Sequence, residues 1–414
     1  MNKFIALALV GALAACSGRK STTENEQGTG ENSAATVSTM NAYEKDRHFL
    51  RQHHRDLIEL RMGNARALVC PAYQGRVMTT TADGKASYGW INYELIRSGK
   101  VLPHMNAFGG EDRFWLGPEG GQFALFFKQG DPFDGDHWQT PAAIDSEPFL
   151  LANTTQTAAT FRRRVSLANY AGTRLDIGIE RIVTLLSETD VNRLLTNSLD
   201  SLHIVGIQSD NSITNQGNQA WTAQTGMPSI WILGMMNASP KATIIVPYRA
   251  GSGQPINDTY FGKVPADRLV LNKTSARFKA DATYRSKIGV SPARATNWVG
   301  SYEAATRTLT LVTFDFNLQD RQYVNSAWEH QKKPYAGDVI NAYNDGPMKP
   351  GQPQMGQFYE LESSSPAANL APGGKLRHRH TTFHVQGPEQ ALNKLAKQLL
   401  QTDLSDLQQA NLQH

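Results

Sequence analysis

Residues Phe358 to Val385 read FYELESSSPAANLAPGGKLRHRHTTFHV, and this stretch decides the fold. Tyr359, Leu361 and Ser363 alternate with Glu360, Glu362 and Ser364. An extended chain sends successive side chains to opposite faces, so both glutamates fall on one face of a strand. Pro372-Gly373-Gly374 then breaks the run as a turn. Beyond it His378, His380, Thr382 and His384 alternate again, which gives a second strand with three imidazoles on one face. On such a strand-turn-strand frame carboxylates and imidazoles could meet; a solvated polar strand face is the alternative.

Working outward, the chain reads as strand after strand. Leu309 to Phe316 (LTLVTFDF) is the clearest, and it leads toward Tyr323 to Glu329 as a further strand. Trp231 to Met236, Thr243 to Tyr248, Phe161 to Leu167, Leu175 to Leu186 and Leu202 to Thr214 have the same character. Near the start, Leu57 to Leu60, Arg66 to Ala72 and Gly75 to Thr79 form a hairpin series around the turn Met62-Gly63-Asn64. Helical spacing is confined to Tyr43 to His54 and to Pro388 to Leu400, where Leu392, Leu395, Ala396 and Leu399 share a face. Long strands with polar turns and no βαβ rhythm predict an all-β sandwich with short flanking helices.

The order glutamate, small polar residues, proline, Leu370-x-Pro372-Gly373-Gly374 and a strand with Thr381-Thr382-Phe383 resembles the closing segment of the aldose 1-epimerase (galactose mutarotase) superfamily. Pro71-x-x-x-Gly75-Arg76-Val77 resembles the opening of the same sandwich. The resemblance implies a galactose mutarotase-like β-supersandwich over residues 43–387, close to secreted bacterial lipoprotein families of unassigned role. It implies Glu362 as general base and Arg113 as a contact to substrate oxygens. The superfamily's acid histidine has no counterpart: Ile213 to Trp221 reads ITNQGNQAW. His330 and His380 are the candidates to replace it.

Further candidates cluster by type. Phe108 to Gly121 holds five glycines with Arg113, Trp115 and Glu119, a planar donor, an apolar platform and an acceptor that suit a sugar. A glycine-rich turn with a structural Arg-Glu pair is the alternative. Trp221 offers a stacking ring without a transferable proton. Trp328, Glu329 and His330 follow one another, so on a strand only one of Glu329 and His330 could face a pocket. Tyr343 and Asn344 complete the substrate-binding set. The carboxylates of Asp131, Asp134 and Asp136 match no complete metal loop, and neither a metal nor a cofactor is expected.

At the N-terminus, Lys3, an apolar run and Leu13-Ala14-Ala15-Cys16 form a bacterial lipobox, so residues 1–15 are expected to be removed and Cys16 lipidated. Residues 16–42 read as a lipidated cysteine and polar tether, and residues 388–414 as a C-terminal helix and tail. The expected place is the cell envelope, at the outer membrane. With 41 basic and 37 acidic residues and no basic run, nucleic acid is not an expected partner. Cys70, in the apolar run Ala67 to Cys70, suits a core position. Two functions stay open: acid–base chemistry on a saccharide with Glu362 as base, or glycan binding without turnover.

Overall fold

The computed structural model describes residues 40–195, 199, 201–349 and 351–410. The expected signal segment, Cys16 and nearly all of the tether lie outside the described residues. In chain order the strands are β1 (Ile58–Met62), β2 (Ala65–Cys70), β3 (Arg76–Thr81), β4 (Arg113–Gly117), β5 (Leu150–Thr154), β6 (Ala158–Ala168), β7 (Arg174–Leu185), β8 (His203–Asn215), β9 (Ser229–Asn237), β10 (Ala242–Pro247), β11 (Leu269–Leu271), β12 (Ser275–Lys279), β13 (Ser286–Val290), β14 (Trp298–Glu303), β15 (Thr308–Phe314), β16 (Ile340–Asn344), β17 (Phe358–Ser364) and β18 (Lys375–Gln386). They form three sheets: β1-β2-β3, the ten-stranded β11-β12-β10-β14-β15-β18-β8-β7-β6-β5, and the five-stranded β13-β16-β17-β9-β4. The fold is all-β, as the alternation predicts.

The two larger sheets pack face to face, because each presents one apolar phase of its alternation to the other. Phe114, Leu116, Ile230 and Ile232 of the five-stranded sheet share a buried cluster with Phe161, Ile177, Ile179 and Ile213 of the ten-stranded sheet. A second cluster joins Ile288, Ile340, Ala342 and Leu361 to Ile244, Val246, Phe278, Val299 and Val312. Fully burying a side chain of this size contributes about 1.5–3 kcal/mol, so these two layers hold most of the stabilisation that keeps the sheets in register.

Helices close the open surfaces. Ala42–His53 starts on a capping box in which Asn41 accepts from the Glu44 backbone and Glu44 accepts from that of Asn41, and it buries Phe49 and Leu50 against Leu68 and Cys70. Cys70 is a free, buried core residue whose thiol burial pushes up to about 12. Glu389–Leu400 lays Leu392, Leu395, Ala396 and Leu399 on Ile245, Leu311, Phe383 and Val385 of the ten-stranded sheet.

Two expectations need correction. Phe358–Ser364 and Lys375–Gln386 are strands, but they do not pair. β17 is bonded to β16 and β9, and β18 to β15 and β8, so neither has a free edge for the other. Residues 365–374 carry the chain from one sheet to the other, with Gly373 turning at φ +79°. The segment Tyr323 to Glu329 forms no strand; it makes a single bridge, Tyr323 to Ala336, and residues 328–330 bend through a loop.

Candidate functional site

The five-stranded sheet has a second face, and register alone assembles it. Glu362 stands opposite Leu233 on one side and Asn341 on the other, and Leu233 stands opposite Arg113. Glu360 stands opposite Tyr343, which stands opposite Lys287, and Trp115 stands opposite Trp231. Directly opposed residues share a face. One surface therefore carries Lys287, Tyr343, Asn341, Glu360, Glu362, Trp231, Arg113 and Trp115, while Phe114, Ile232, Leu361 and Ile288 fill the inter-sheet core.

The charges on this face are paired and aimed. Arg113 Nη2 lies 2.8 Å from Glu360 Oε1, with its guanidinium 4.1 Å from the centre of the Trp115 ring. Trp231 Nε1 donates to Glu362 Oε2 at 2.8 Å, and Lys287 Nζ donates to the same oxygen at 3.0 Å. Lys287 also sits 4.7 Å over the Trp231 ring, and Trp231 meets Trp115 edge to face at 5.5 Å. The other oxygen, Glu362 Oε1, is buried with no hydrogen-bond partner among the described residues. An unpartnered buried carboxylate oxygen is costly unless something else occupies it at times.

Burial dominates the electrostatics. Glu362 is 0% exposed and Lys287 8%. Burial raises the Glu360 carboxyl to about 7, with Arg113 opposing and the Glu362 charge adding. Burial likewise raises Glu119, which feels Lys287, Glu362 and Arg285 and is hydrogen-bonded by Trp328. Asp338 is raised by burial and accepts from the Tyr260 hydroxyl at 2.6 Å; Asn341 Nδ2 donates to the same hydroxyl at 3.1 Å. Tyr260 thus pins the segment between β10 and β11 over the face, and Val324 and Ser326 close another side. About 10 Å³ remains between floor and cover, room for about one water.

Of the residues singled out in the sequence, Glu362, Arg113, Trp115 and Tyr343 lie on this face, and Glu119 and Trp328 stand beside it at its partly exposed edge. The others do not. Asn344 points to the opposite face, where its carbonyl accepts from the Ala282 backbone and its amide donates to Tyr284. Tyr343 and Asn344 are neighbours on a strand, so they could not both face one pocket. Trp221 is buried in the inter-sheet core and its backbone donates to Leu370. His330 is exposed and packs on Phe133 and Tyr170, and Glu329 is exposed as well.

His380 sits between the sheets. Ser363 Oγ lies 2.8 Å from both His378 Nε2 and His380 Nδ1, and Ser363 occupies the opposite face of β17 from Glu362. Burial pushes His380 down to about 4. The expected meeting of carboxylate and imidazole is made elsewhere, by His384 with Glu111. Neither candidate histidine reaches the Glu362 face.

Sequence reading missed Trp231, Lys287 and the cover residue Tyr260. Lys287 lies in Ser286–Val290 at the polar phase, a position that signals a solvated side chain unless something covers it. The cover comes from residues distant in the chain, which leave no local mark.

Solved structures similar to this chain include a proposed aldose 1-epimerase from Escherichia coli K12, at 11% identity and a TM-score of 0.49, covering 80% of this chain and 99% of that one. A galactose mutarotase-like protein from Lactobacillus casei ATCC 334 follows at 10% identity and 0.46, covering 79% and 99%. A galactose mutarotase related enzyme from Lactobacillus acidophilus stands at 9% and 0.43, covering 79% and 97%. These neighbours are mutarotase-like proteins, the superfamily that the closing segment resembles. Curated protein sequences return no match. The profile described as "Family of unknown function (DUF6786)" matches residues 41–411, and the chain belongs to that family.

Proposed function

We propose that the charged face of the five-stranded sheet binds a saccharide and performs acid–base chemistry on it, with Glu362 as base and Glu360 as the protonated partner. The observation that carries this reading is the oriented carboxylate of Glu362. Trp231 and Lys287 hold one oxygen, and the other is left without a partner among the described residues. The Lys287 ammonium lies 3.0 Å from Glu362, and a carboxyl raised to about 7 suits Glu360 to give a proton near neutral pH. Trp115 and Trp231 offer apolar ring surface to the C–H face of a sugar. In an epimerase-type step, Glu362 Oε1 takes the proton of the anomeric hydroxyl while Glu360 protonates the ring oxygen as the ring C–O bond breaks. Reclosure on the other face returns both protons.

Binding without turnover is the second reading, and the pairing of Glu360 with Arg113 and of Glu362 with Lys287 favours it. Both readings require the Tyr260 segment to move aside, since the face is covered. The test is anomer interconversion followed by nuclear magnetic resonance over a panel of sugars, beside calorimetric binding to the same panel. Interconversion lost in Glu362→Gln supports catalysis; binding with no interconversion by the native protein selects the second reading; no binding at all rejects both. We further propose that the protein acts in the cell envelope on a lipid anchor at Cys16, a reading supported by the lipobox.

A further inference from the structure

Arg113 and Lys287 each hold a carboxylate of the charged face, whereas Arg285, two residues before Lys287, has no ion-pair partner among the described residues. On an extended chain that spacing returns Arg285 to the phase of Lys287, one residue before β13 begins. It is half-buried. Its guanidinium lies 3.6 Å from the centre of the Phe261 ring, and its Nε is buried with no acceptor among the described residues. Its guanidinium is hydrogen-bonded with the Tyr343 side chain, and its charge acts on Glu119, Tyr343 and Asp345.

An arginine stacked on a ring keeps its fork of N–H donors in one plane and one direction, an arrangement that matches a carboxylate in two parallel hydrogen bonds. The aromatic contact also reduces the entropy lost when a ligand is bound. Asp345, the nearest acid in the register, is already engaged: it accepts from Tyr343 Oη at 2.7 Å and from the Gly356 backbone at 2.8 Å. Arg285 is thus a held, half-buried cation whose charge no carboxylate among the described residues neutralises by direct contact.

Resting on the saccharide reading above, we infer that the ligand is a uronic acid-containing saccharide, one of whose carboxylates docks on Arg285 while the C–H face of a sugar ring lies toward Trp115 and Trp231. A hydrogen bond to a charged group is strong enough that the acid form binds about tenfold more tightly than the neutral one.

The test is calorimetry on the full chain in detergent with trigalacturonate, galactotriose and a 4-sulfated galactose trisaccharide. The native protein prefers trigalacturonate over both others by about tenfold. Arg285→Gln abolishes that preference and leaves galactotriose affinity unchanged, Arg285→Lys keeps part of it, and Phe261→Leu, which removes the stacking ring, weakens it. Equal binding of trigalacturonate and galactotriose, or a preference that survives Arg285→Gln, overturns the assignment and leaves the saccharide site standing. A preference for the sulfated sugar also overturns it. No binding of these or of any neutral sugar in the wider panel removes the saccharide reading together with it.

Discussion

Glu360 and Glu362 stand two residues apart on one strand face and yet meet different partners, Arg113 for the first and the Lys287–Trp231 pair for the second. Their roles can be separated by amide substitution. Glu362→Gln keeps an oxygen for Trp231 and Lys287 but cannot take a proton, so turnover should fall by about 10²–10⁴-fold while saccharide affinity changes little. Initial rates and calorimetry on the same preparation check this, and a full rate in the variant rules out Glu362 as base. Glu360 makes a separate prediction about pH. Its carboxyl lies at about 7 in the folded protein against 4.5 for the free side chain, because burial disfavours its charge. The folded state therefore binds the proton more tightly than the unfolded chain. The associated stability is fully present below about 4.5 and is lost as pH rises to about 7. Glu360→Gln should flatten that part of the stability curve, and denaturant midpoints across this window should show it. An unchanged slope would mean that Glu360 takes up its proton equally in the folded and the unfolded chain.

Strands β17 and β18 show what an alternating pattern can and cannot disclose. The period of two in Tyr359 to Ser364 and in His378 to His384 placed both glutamates together and the three histidines together, and each set does share a face. The same pattern carries no information about which strand lies beside which. A proline-glycine turn between two strands suggests a hairpin, whereas here it belongs to a crossover between sheets. Glu360 and Glu362 therefore lie on the face of β17 away from His378 and His380, and from β17 it is Ser363 that reaches those two imidazoles. This gives the element-scale prediction. Ser363→Ala leaves the ring nitrogens of His378 and His380 buried without that hydroxyl, at a cost of about 1–3 kcal/mol for each group stranded. Urea denaturation should show the loss, and saccharide affinity should stay at the native value because the other face of β17 is untouched. A native midpoint would show that the inter-sheet contact does not depend on Ser363.

At the scale of the molecule, the fold class was legible because it needs only the repeated alternation of short runs, which local sequence carries. The site was legible in part. Glu362, Arg113 and Trp115 stand in motif-bearing stretches, whereas Lys287 and Trp231 join them only through the order of five strands drawn from residues 113 to 364, and Tyr260 only through the segment between β10 and β11 that covers them. An ion pair such as Arg181 with Asp112, both fully buried between the sheets, is likewise a product of assembly and not of neighbourhood in the chain.

The proposed anchor at Cys16 belongs to this scale as well, since it would set where the whole domain works. A lipid on Cys16 followed by a polar tether of residues 17–41 would hold the sandwich within roughly 25–30 Å of the membrane surface. A saccharide ligand would then be one met at the envelope and not one free in the cytoplasm. Cys16→Ser removes the thiol that takes the lipid and changes no residue of the described sandwich. In a bacterium that processes lipoproteins, the native protein should sediment with membranes and incorporate labelled fatty acid. The variant should do neither, and it should keep the native melting temperature and saccharide affinity once purified. If the native protein stays in the soluble fraction and takes no label, the segment before Cys16 serves ordinary secretion and the tether has no membrane to reach from. The sheet face and its carboxylates would be unaffected by that outcome, because nothing in their register depends on the first forty residues.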